Sequence, residues 1–228
     1  MEYNSEEGWY KRLDSSGSPV VSLSLAGWQG PAIAEPVPSL YTPSFITRYI
    51  LVALQDRILI APGSSIDFYF TIPVDLGVFI GVGDHYELVD TIPLGSYYKY
   101  ALYGPPVTSD EAGGVVCRHW RSRVYSYRAN VNQGECLVEA SVVNDYSEPV
   151  VVSRILVDSA YIPLYYKQNT FNCYTGRVRL TVRNSQKGVV TYQGTTAPQG
   201  YIKARTPVEL KHPLIPLIAQ KTLMDWGI

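Results

Sequence analysis

The sequence predicts an all-β fold: an antiparallel β-sandwich, formed as one large sandwich or as two smaller packed ones, with a short C-terminal helix. Three observations indicate this class. Short runs of alternating apolar and polar residues recur along the chain, which places one face of each strand on a core. Tyr is frequent, with 19 residues against 5 Phe and 4 Trp, and it favours strands. The 18 Gly and 16 Pro supply frequent turns.

The predicted strands follow one another with turns between them. In the first half they are Val20–Trp28, Ile46–Leu54, Arg57–Pro62, Ile66–Ile72, Val74–Gly83 and Tyr86–Ile92. Two further strands lie around residues 97–103 and 115–120, and the last four are Cys136–Val143, Pro149–Val157, Gly176–Arg183 and Val189–Gly194. Proline cannot donate a hydrogen bond to a strand ladder, so Pro73 is expected to end one strand. The glycines that follow it predict a bulge or a close backbone approach.

The most regular strand has four apolar side chains expected to face the core, namely Ile66, Phe68, Phe70 and Ile72. A helix is expected only in the C-terminal segment, residues 212–228. Pro216 suits a first helical turn there, and Gly227 suits a helix end.

A chain of 228 residues can form one large all-β domain, so we expect a single unit over residues 1–228. The alternative has an acidic half, residues 1–104, and a basic half, residues 114–228. In that case residues 105–113 form the linker between them.

The net charge of −1 hides a strong asymmetry. Residues 1–110 hold 5 Lys or Arg and 12 Asp or Glu, whereas residues 111–228 hold 14 and 8. Either the two halves pack together so that their charges compensate, or the basic half contacts an anionic partner.

The three cysteines, Cys117, Cys136 and Cys173, are widely spaced and odd in number, and we expect buried or idle thiols. The acidic, polar N-terminus resembles no secretory signal, and no apolar run reaches the length of a membrane helix. We therefore expect a cytoplasmic protein without membrane insertion.

The segment Ser96–Arg128 carries the densest group of functional side chains. Between residues 118 and 128 it holds four arginines, a histidine, a tryptophan and two tyrosines. Arginine interleaved with aromatic residues can bind carboxylates or phosphates and stack on rings. A second basic strip follows the strand Gly176–Arg183, where alternation places its arginines opposite the core face. The candidate ligand or partner surface therefore comprises Tyr100, Tyr103, Arg118, His119, Trp120, Arg121, Arg123, Arg177, Arg179 and Arg183.

Catalytic patterns are weak. Cys117 and His119 share one strand face, but two further ligands for zinc are missing at suitable spacing. No motif for a nucleophilic serine or for a nucleotide-binding loop is present. We therefore expect no cofactor and no metal, and we name no catalytic residue.

Three stretches together resemble the archaeal family called domain of unknown function 432. They are Ala61–Gly81, Lys99–Pro106 and Gly114–Trp120. The resemblance implies an archaeal, intracellular, mainly β protein and carries no assigned catalytic or ligand residues. It also implies a sensing or interaction module, because some members adjoin membrane-channel domains.

The interpretation that follows is a non-catalytic β-sandwich module that binds a protein partner or associates with itself. One alternative is a binder of an anionic or carbohydrate ligand through an Arg/Tyr/Trp surface, with a small anion or nucleic acid as the anionic ligand. A second alternative is an uncharacterised hydrolase or metal enzyme, which would require His119 to act with Cys117, Asp84 or a metal.

Overall fold

The computed structural model describes residues 1–28, 30–82, 85–95, 99–104, 114–184, 187–193, 197–211 and 221–223, and it confirms the all-β prediction. The strands are β1 Glu2–Asn4, β2 Trp9–Leu13, β3 Pro19–Ser24, β4 Ala32–Pro38, β5 Tyr49–Ile60, β6 Ser65–Val82, β7 His85–Ile92, β8 Tyr100–Tyr103, β9 Val115–Ser122, β10 Glu135–Asn144, β11 Val150–Asp158, β12 Leu164–Tyr166, β13 Cys173–Asn184, β14 Lys187–Gln193, β15 Ile202–Lys203 and β16 Lys221–Leu223. A 3₁₀ turn spans Ser159–Tyr161, and the short helix α1 spans Val208–Lys211.

The described strands form three sheets. A small N-terminal sheet has the order β1-β2-β3. A large sheet has the order β15-β12-β13-β10-β6-β4, with β7 also paired to β6, β14 paired to β13, and β16 paired to β14. A four-stranded sheet has the order β11-β5-β9-β8. Most pairs are antiparallel, but β10 with β13 and β5 with β9 are parallel.

The main core lies between the large sheet and the four-stranded sheet. Alternate residues of β6, β10 and β13 meet alternate residues of β5 and β11, as expected for two sheets packed face to face. Buried members include Phe68, Phe70, Ile72, Val138, Val142, Val52, Val152, Val157 and Leu180. Of the four apolar residues predicted to face inward from β6, three are buried, whereas Ile66 at the start of the strand is 39% exposed.

Strand β6 does not end at Pro73, which corrects the sequence prediction. It runs through the proline because the ladder changes partner there. Its first part pairs with β10 up to Pro73, and its second part pairs with β4 from Val74 onward. At this junction the carbonyl of Pro73 accepts a hydrogen bond from Ser39 (3.2 Å), and the missing N–H of the proline interrupts neither ladder.

The second part of β6 packs against the N-terminal sheet through a small separate core of Tyr10, Leu25, Val78 and Ile80. The close backbone approach predicted from the glycines occurs at Gly81, where an added Cβ would lie 1.9 Å from the carbonyl oxygen of His85. The register of β6 with β7 also shifts between Val78 and Phe79, so the predicted bulge is present.

Strand β5 is continuous, although two strands flanking Gln55 and Asp56 were predicted. These two polar residues are exposed and coincide with an irregularity in the pairing of β5 with β11. A bulge accommodates them without ending the strand, because Leu54 and Ile58 on either side still point into the core.

Cys136 and Cys173 form a disulfide, which corrects the prediction of three buried or idle thiols. Cys136 is the second residue of β10 and Cys173 is the first residue of its parallel neighbour β13, and their Cα atoms lie 4.5 Å apart. Cys117 is the free, buried cysteine. The prediction of unpaired thiols was wrong because the pairing of β10 with β13, which brings Cys136 and Cys173 together, cannot be deduced from cysteine spacing.

The predicted short C-terminal helix is present, but it is α1 and precedes the segment in which it was expected. Within residues 212–228 the structure describes only Lys221–Leu223, and these form strand β16 on β14. The rest of that segment lies outside the described residues, as does the linker 105–113, so the division into one or two domains stays a prediction.

Candidate functional site

Strand β9 sorts the predicted site residues onto two faces of the four-stranded sheet. Successive side chains of a strand point to opposite sides, so Arg118, Trp120 and Ser122 turn inward while Cys117, His119 and Arg121 turn outward. The side chains of this basic and aromatic stretch therefore lie in two separate environments, one on each side of the sheet.

On the inner side, Arg118 is 2% exposed and forms part of a buried polar network. Its Nη1 donates to the carbonyl of Thr42 (3.3 Å), and its Nη2 donates to Ser39 Oγ (3.5 Å). Its guanidinium lies 5.4 Å from the ring centre of Tyr100, its partner on β8. Two residues predicted for a partner surface thus contact each other inside the protein.

Asp75 lies beside this network and is 1% exposed. Burial raises the pKa of its carboxyl, while the Ser39 hydroxyl, the Leu94 N–H and the charge of Arg118 act in the opposite direction. Trp120 is held at the same side of β9, since its indole Nε1 donates to Thr71 Oγ1 at 3.2 Å.

Part of the outer side is apolar and covered. Tyr103 is 6% exposed and belongs to a cluster with Tyr49, Leu51, Cys117 and Leu156. The Cys117 sulfur lies 3.3 Å from the carbonyl oxygens of both Ala101 and Val115, either of which can accept its single S–H, and burial raises the pKa of the thiol to about 11. A thiol of this kind is a poor nucleophile and a poor metal ligand.

Beyond this cluster the outer side is basic. We define the outer basic patch as Lys99, His119, Arg121 and Arg154. Strand register brings them together: Ala53 on β5 pairs with Arg121 on one side and with Arg154 on the other. The Cα atoms of these arginines are therefore about 10 Å apart, two strand spacings, with only a methyl group between them. His119 pairs with Leu51, and its backbone N–H donates to the carbonyl of Lys99 (2.8 Å).

The charges of the outer basic patch act on His119. Its pKa is lowered, first by partial burial and then by the positive charges of Lys99, Arg121 and Arg154. Among the described residues no carboxylate forms an ion pair with any of the four. The patch therefore concentrates positive charge on this side of the sheet, where Lys99 and Arg121 are exposed and His119 and Arg154 are half-buried. Arg123 is exposed just beyond the end of β9.

The second predicted basic strip lies on the opposite side of the molecule, on the outer face of β13. Arg177 is neutralised there, because its Nε donates to Glu139 Oε1 (2.7 Å) and its Nη2 lies 3.4 Å from Asp67. Arg179 and Arg183 are exposed. The strip and the outer basic patch cannot contact one small ligand together, since the main core separates them.

A cleft that sequence reasoning missed has a volume of about 810 Å³ and is lined by residues of β4, β7, β12, β15 and α1. Inside it, Glu35 is 3% exposed, forms an ion pair with Arg205 and accepts a hydrogen bond from Tyr166 (3.1 Å). The Arg205 guanidinium stacks 3.9 Å from the ring centre of Tyr86. The residues of this network are too far apart in sequence for any local pattern to reveal it.

Within the part of the chain that the structure describes, no three residues among His, Cys, Asp and Glu are grouped so that they could hold a metal ion. Nor does any described helix have the length and apolar character needed to cross a membrane. The fold and the site define an all-β sandwich with an exposed basic sheet face.

Comparison with known proteins supplies the family. The family model described as "Protein of unknown function (DUF432)" matches residues 1–225, so the chain belongs to that family. The resemblance seen in the three short stretches is thereby confirmed. No curated protein and no solved structure matches the chain.

Proposed function

We propose that this protein is a non-catalytic β-sandwich interaction module that binds an acidic protein segment through the outer basic patch. The observation that carries the proposal is the row Arg121, Ala53, Arg154 across three adjacent strands, with His119 and Lys99 beside it. No described carboxylate forms an ion pair with these side chains, so an anionic partner would supply their missing counter-charge.

The shape of the row suits carboxylates. A guanidinium donates two parallel hydrogen bonds to one carboxylate. The Cα atoms of Arg121 and Arg154 are about 10 Å apart, so their guanidinium groups can converge above the small side chain of Ala53. An acidic side chain could then lie over Ala53 between Arg121 and Arg154. A second acidic side chain of the same segment would lie near His119 and Lys99.

The charge balance favours a polypeptide over a nucleic acid. Binding to nucleic acid relies on neutralising many phosphates, whereas the outer basic patch offers four basic groups on a chain of net charge −1. A second copy of the chain is one source of an acidic segment, because residues 1–110 hold 12 acidic and 5 basic residues. The proposal places the protein in the cytoplasm of an archaeon, as the family resemblance implies.

Fluorescence anisotropy with a labelled hexaglutamate peptide tests the proposal. At about 50 mM salt we expect saturable binding that weakens as salt rises, and no binding of a hexaglutamine peptide. The double variant Arg121→Ala/Arg154→Ala is expected to weaken binding by about tenfold or more.

The matched control is Arg179→Ala/Arg183→Ala, which removes the same charge from the opposite face. Equal losses in the two double variants would show nonspecific attraction and would overturn the proposal. Tighter binding of a single-stranded oligonucleotide of the same charge would overturn the choice of a polypeptide partner. Light scattering on the same samples shows whether the partner is a second copy.

A further inference from the structure

The cleft around Glu35 has the size and the charge of a small-molecule site. Its volume is about 810 Å³, within the range of roughly 300–1,000 Å³ that is usual for such sites. The described residues that line it include three basic side chains and one acidic side chain, which together carry a net charge of +2. They are Lys203, Arg205, Lys211 and Glu35. The cleft is therefore large enough for a metabolite, and its charge favours an anion.

The guanidinium of Arg205 is held in a fixed position at the cleft. Its Nη1 donates to Glu35 Oε1, and its central carbon lies 3.9 Å from the ring centre of Tyr86. The backbone N–H of Arg205 donates to Glu35 Oε2 at 2.8 Å, so both oxygens of this carboxylate are used. Among the described residues, none accepts a hydrogen bond from Arg205 Nε or Nη2. These two nitrogens form one edge of the guanidinium, and that edge can donate two parallel hydrogen bonds to an anion.

Two lysines line the same cleft. The backbone N–H of Ala204 donates to the carbonyl of Leu164 at 2.9 Å, and the Ala204 side chain is buried in the main core. Its neighbours Lys203 and Arg205 therefore lie on the opposite side, with Cα atoms about 7 Å apart. Lys211 is the last residue of α1. Both lysines are exposed, and no described carboxylate forms an ion pair with either.

A phosphate monoester matches this arrangement better than a carboxylate does. At pH 7 it carries a charge of about −1.5 to −2 and presents three acceptor oxygens. The free edge of the Arg205 guanidinium can bind two of these oxygens, and the lysine ammonium groups can bind the third as flexible point charges. A carboxylate has one charge and two oxygens, so it would leave one of the lysines without a counter-charge.

The other walls of the cleft suit a hydroxylated body. Gln168 and Thr206 provide polar groups, whereas Ile33 and Ile202 provide apolar surface. A sugar presents hydroxyl groups to the first pair and C–H groups to the second. Inorganic phosphate alone would occupy only a small part of the 810 Å³.

We propose that this cleft binds a phosphate monoester of sugar size, with its phosphate held by Lys203, Arg205 and Lys211. The cleft shares no residue with the outer basic patch. The small-molecule site is therefore additional to the proposed site for an acidic protein segment.

Isothermal titration of the full chain with glucose-6-phosphate tests the class of ligand. Glucuronate has a carboxylate in place of the phosphate and glucose has no charge, so the three probes share one body. We expect glucose-6-phosphate to bind at least about tenfold more tightly than glucuronate, and glucose to bind more weakly still. Equal binding of glucose-6-phosphate and glucuronate, or no saturable binding of glucose-6-phosphate at about 10 mM, would overturn the proposal.

The double variant Lys203→Ala/Lys211→Ala tests the position of the phosphate. Both side chains are exposed, so the variant should remain folded, which circular dichroism checks. We expect it to weaken binding of glucose-6-phosphate by at least about tenfold. Unchanged binding in the folded variant would contradict the assignment. Should the variant not fold, the comparison of the three probes on the unaltered chain still decides.

Two matched controls each remove two positive charges elsewhere. Arg179→Ala/Arg183→Ala alters exposed residues of β13, and Arg121→Ala/Arg154→Ala alters the outer basic patch. Both are expected to bind glucose-6-phosphate as the unaltered protein does. A loss in either control as large as that in the lysine variant would show that the phosphate is not held at this cleft.

Discussion

Arg118 and Arg121 leave the same strand on opposite faces of one sheet, so that Arg118 is enclosed beside Asp75 while Arg121 is exposed beside His119. The two arginines are three residues apart in a strand with a two-residue period, which places them on different sides. Their substitutions should therefore have different consequences.

Replacement of Arg118 by alanine is expected to lower the free energy of unfolding by about 3 kcal/mol or more, because the change leaves Asp75 buried without its nearby positive charge. Arg121→Ala is expected to change it by no more than about 0.5 kcal/mol, since the side chain is exposed. Urea denaturation measures both values. Similar free energies for the two variants would contradict the separation of the inner and outer faces.

The contribution of the main core can be measured on β6. Phe70 is fully buried, and Phe70→Ala should lower the free energy of unfolding by about 3–5 kcal/mol through the lost burial and the cavity left behind. Ile66 lies on the same strand but is 39% exposed, so Ile66→Ala should cost about 1 kcal/mol or less. A smaller loss for Phe70→Ala than for Ile66→Ala would refute the packing of β6 described above.

The cysteines make a prediction that requires no mutation. With Cys136 and Cys173 in a disulfide and Cys117 buried, the native protein should show almost no reaction with a thiol reagent at about pH 8, because burial raises the Cys117 pKa to about 11. Unfolding in denaturant without a reductant should expose one reactive thiol. Reduction in denaturant should expose all three. Three reactive thiols before reduction would show that the disulfide does not form.

His119 should make stability depend on pH. Its folded-state pKa is lowered below the ordinary value of 6.5, by partial burial and then by Lys99, Arg121 and Arg154. Above pH 6.5 the imidazole is neutral in both the folded and the unfolded state, so no stability is lost through its protonation. As the pH falls below that value the unfolded chain takes up the proton first, so the folded state loses stability.

Denaturation of the unaltered protein and of His119→Gln, compared between about pH 7.5 and about pH 5, tests this expectation. The unaltered protein should lose more stability on acidification than the variant does. A parallel decline in the two proteins would show that His119 does not lie among positive charges. The variant His85→Gln is a suitable control, since His85 is exposed on β7.

Much of the fold could be predicted from the sequence, because the two-residue period of a strand is a local property. The alternation in β6 identified Phe68, Phe70 and Ile72 as core residues. Pairing partners are not local, which is why the continuation of β6 past Pro73 and the disulfide between Cys136 and Cys173 were not foreseen. The continuation of β6 depends on its pairing with β4, and the disulfide depends on the pairing of β10 with β13.

The site was predictable only in part, for a related reason. Alternation divides the residues of β9 into two sets, but with arginine in both sets it cannot say which set is buried. Lys99 and Arg154 had no local signal connecting them with His119, since they join it only through the register of four strands. The network of Glu35, Tyr166 and Arg205 depends in the same way on contacts between distant segments.

Binding of an acidic segment at the outer basic patch is tested most sharply by locating the bound peptide by nuclear magnetic resonance. Amide chemical shifts of the labelled protein are followed during titration with hexaglutamate. We expect the largest changes at Ala53, His119, Arg121 and Arg154, and no change at Arg179 and Arg183. Changes concentrated at Arg179 and Arg183, or spread evenly over all exposed basic residues, would contradict this expectation.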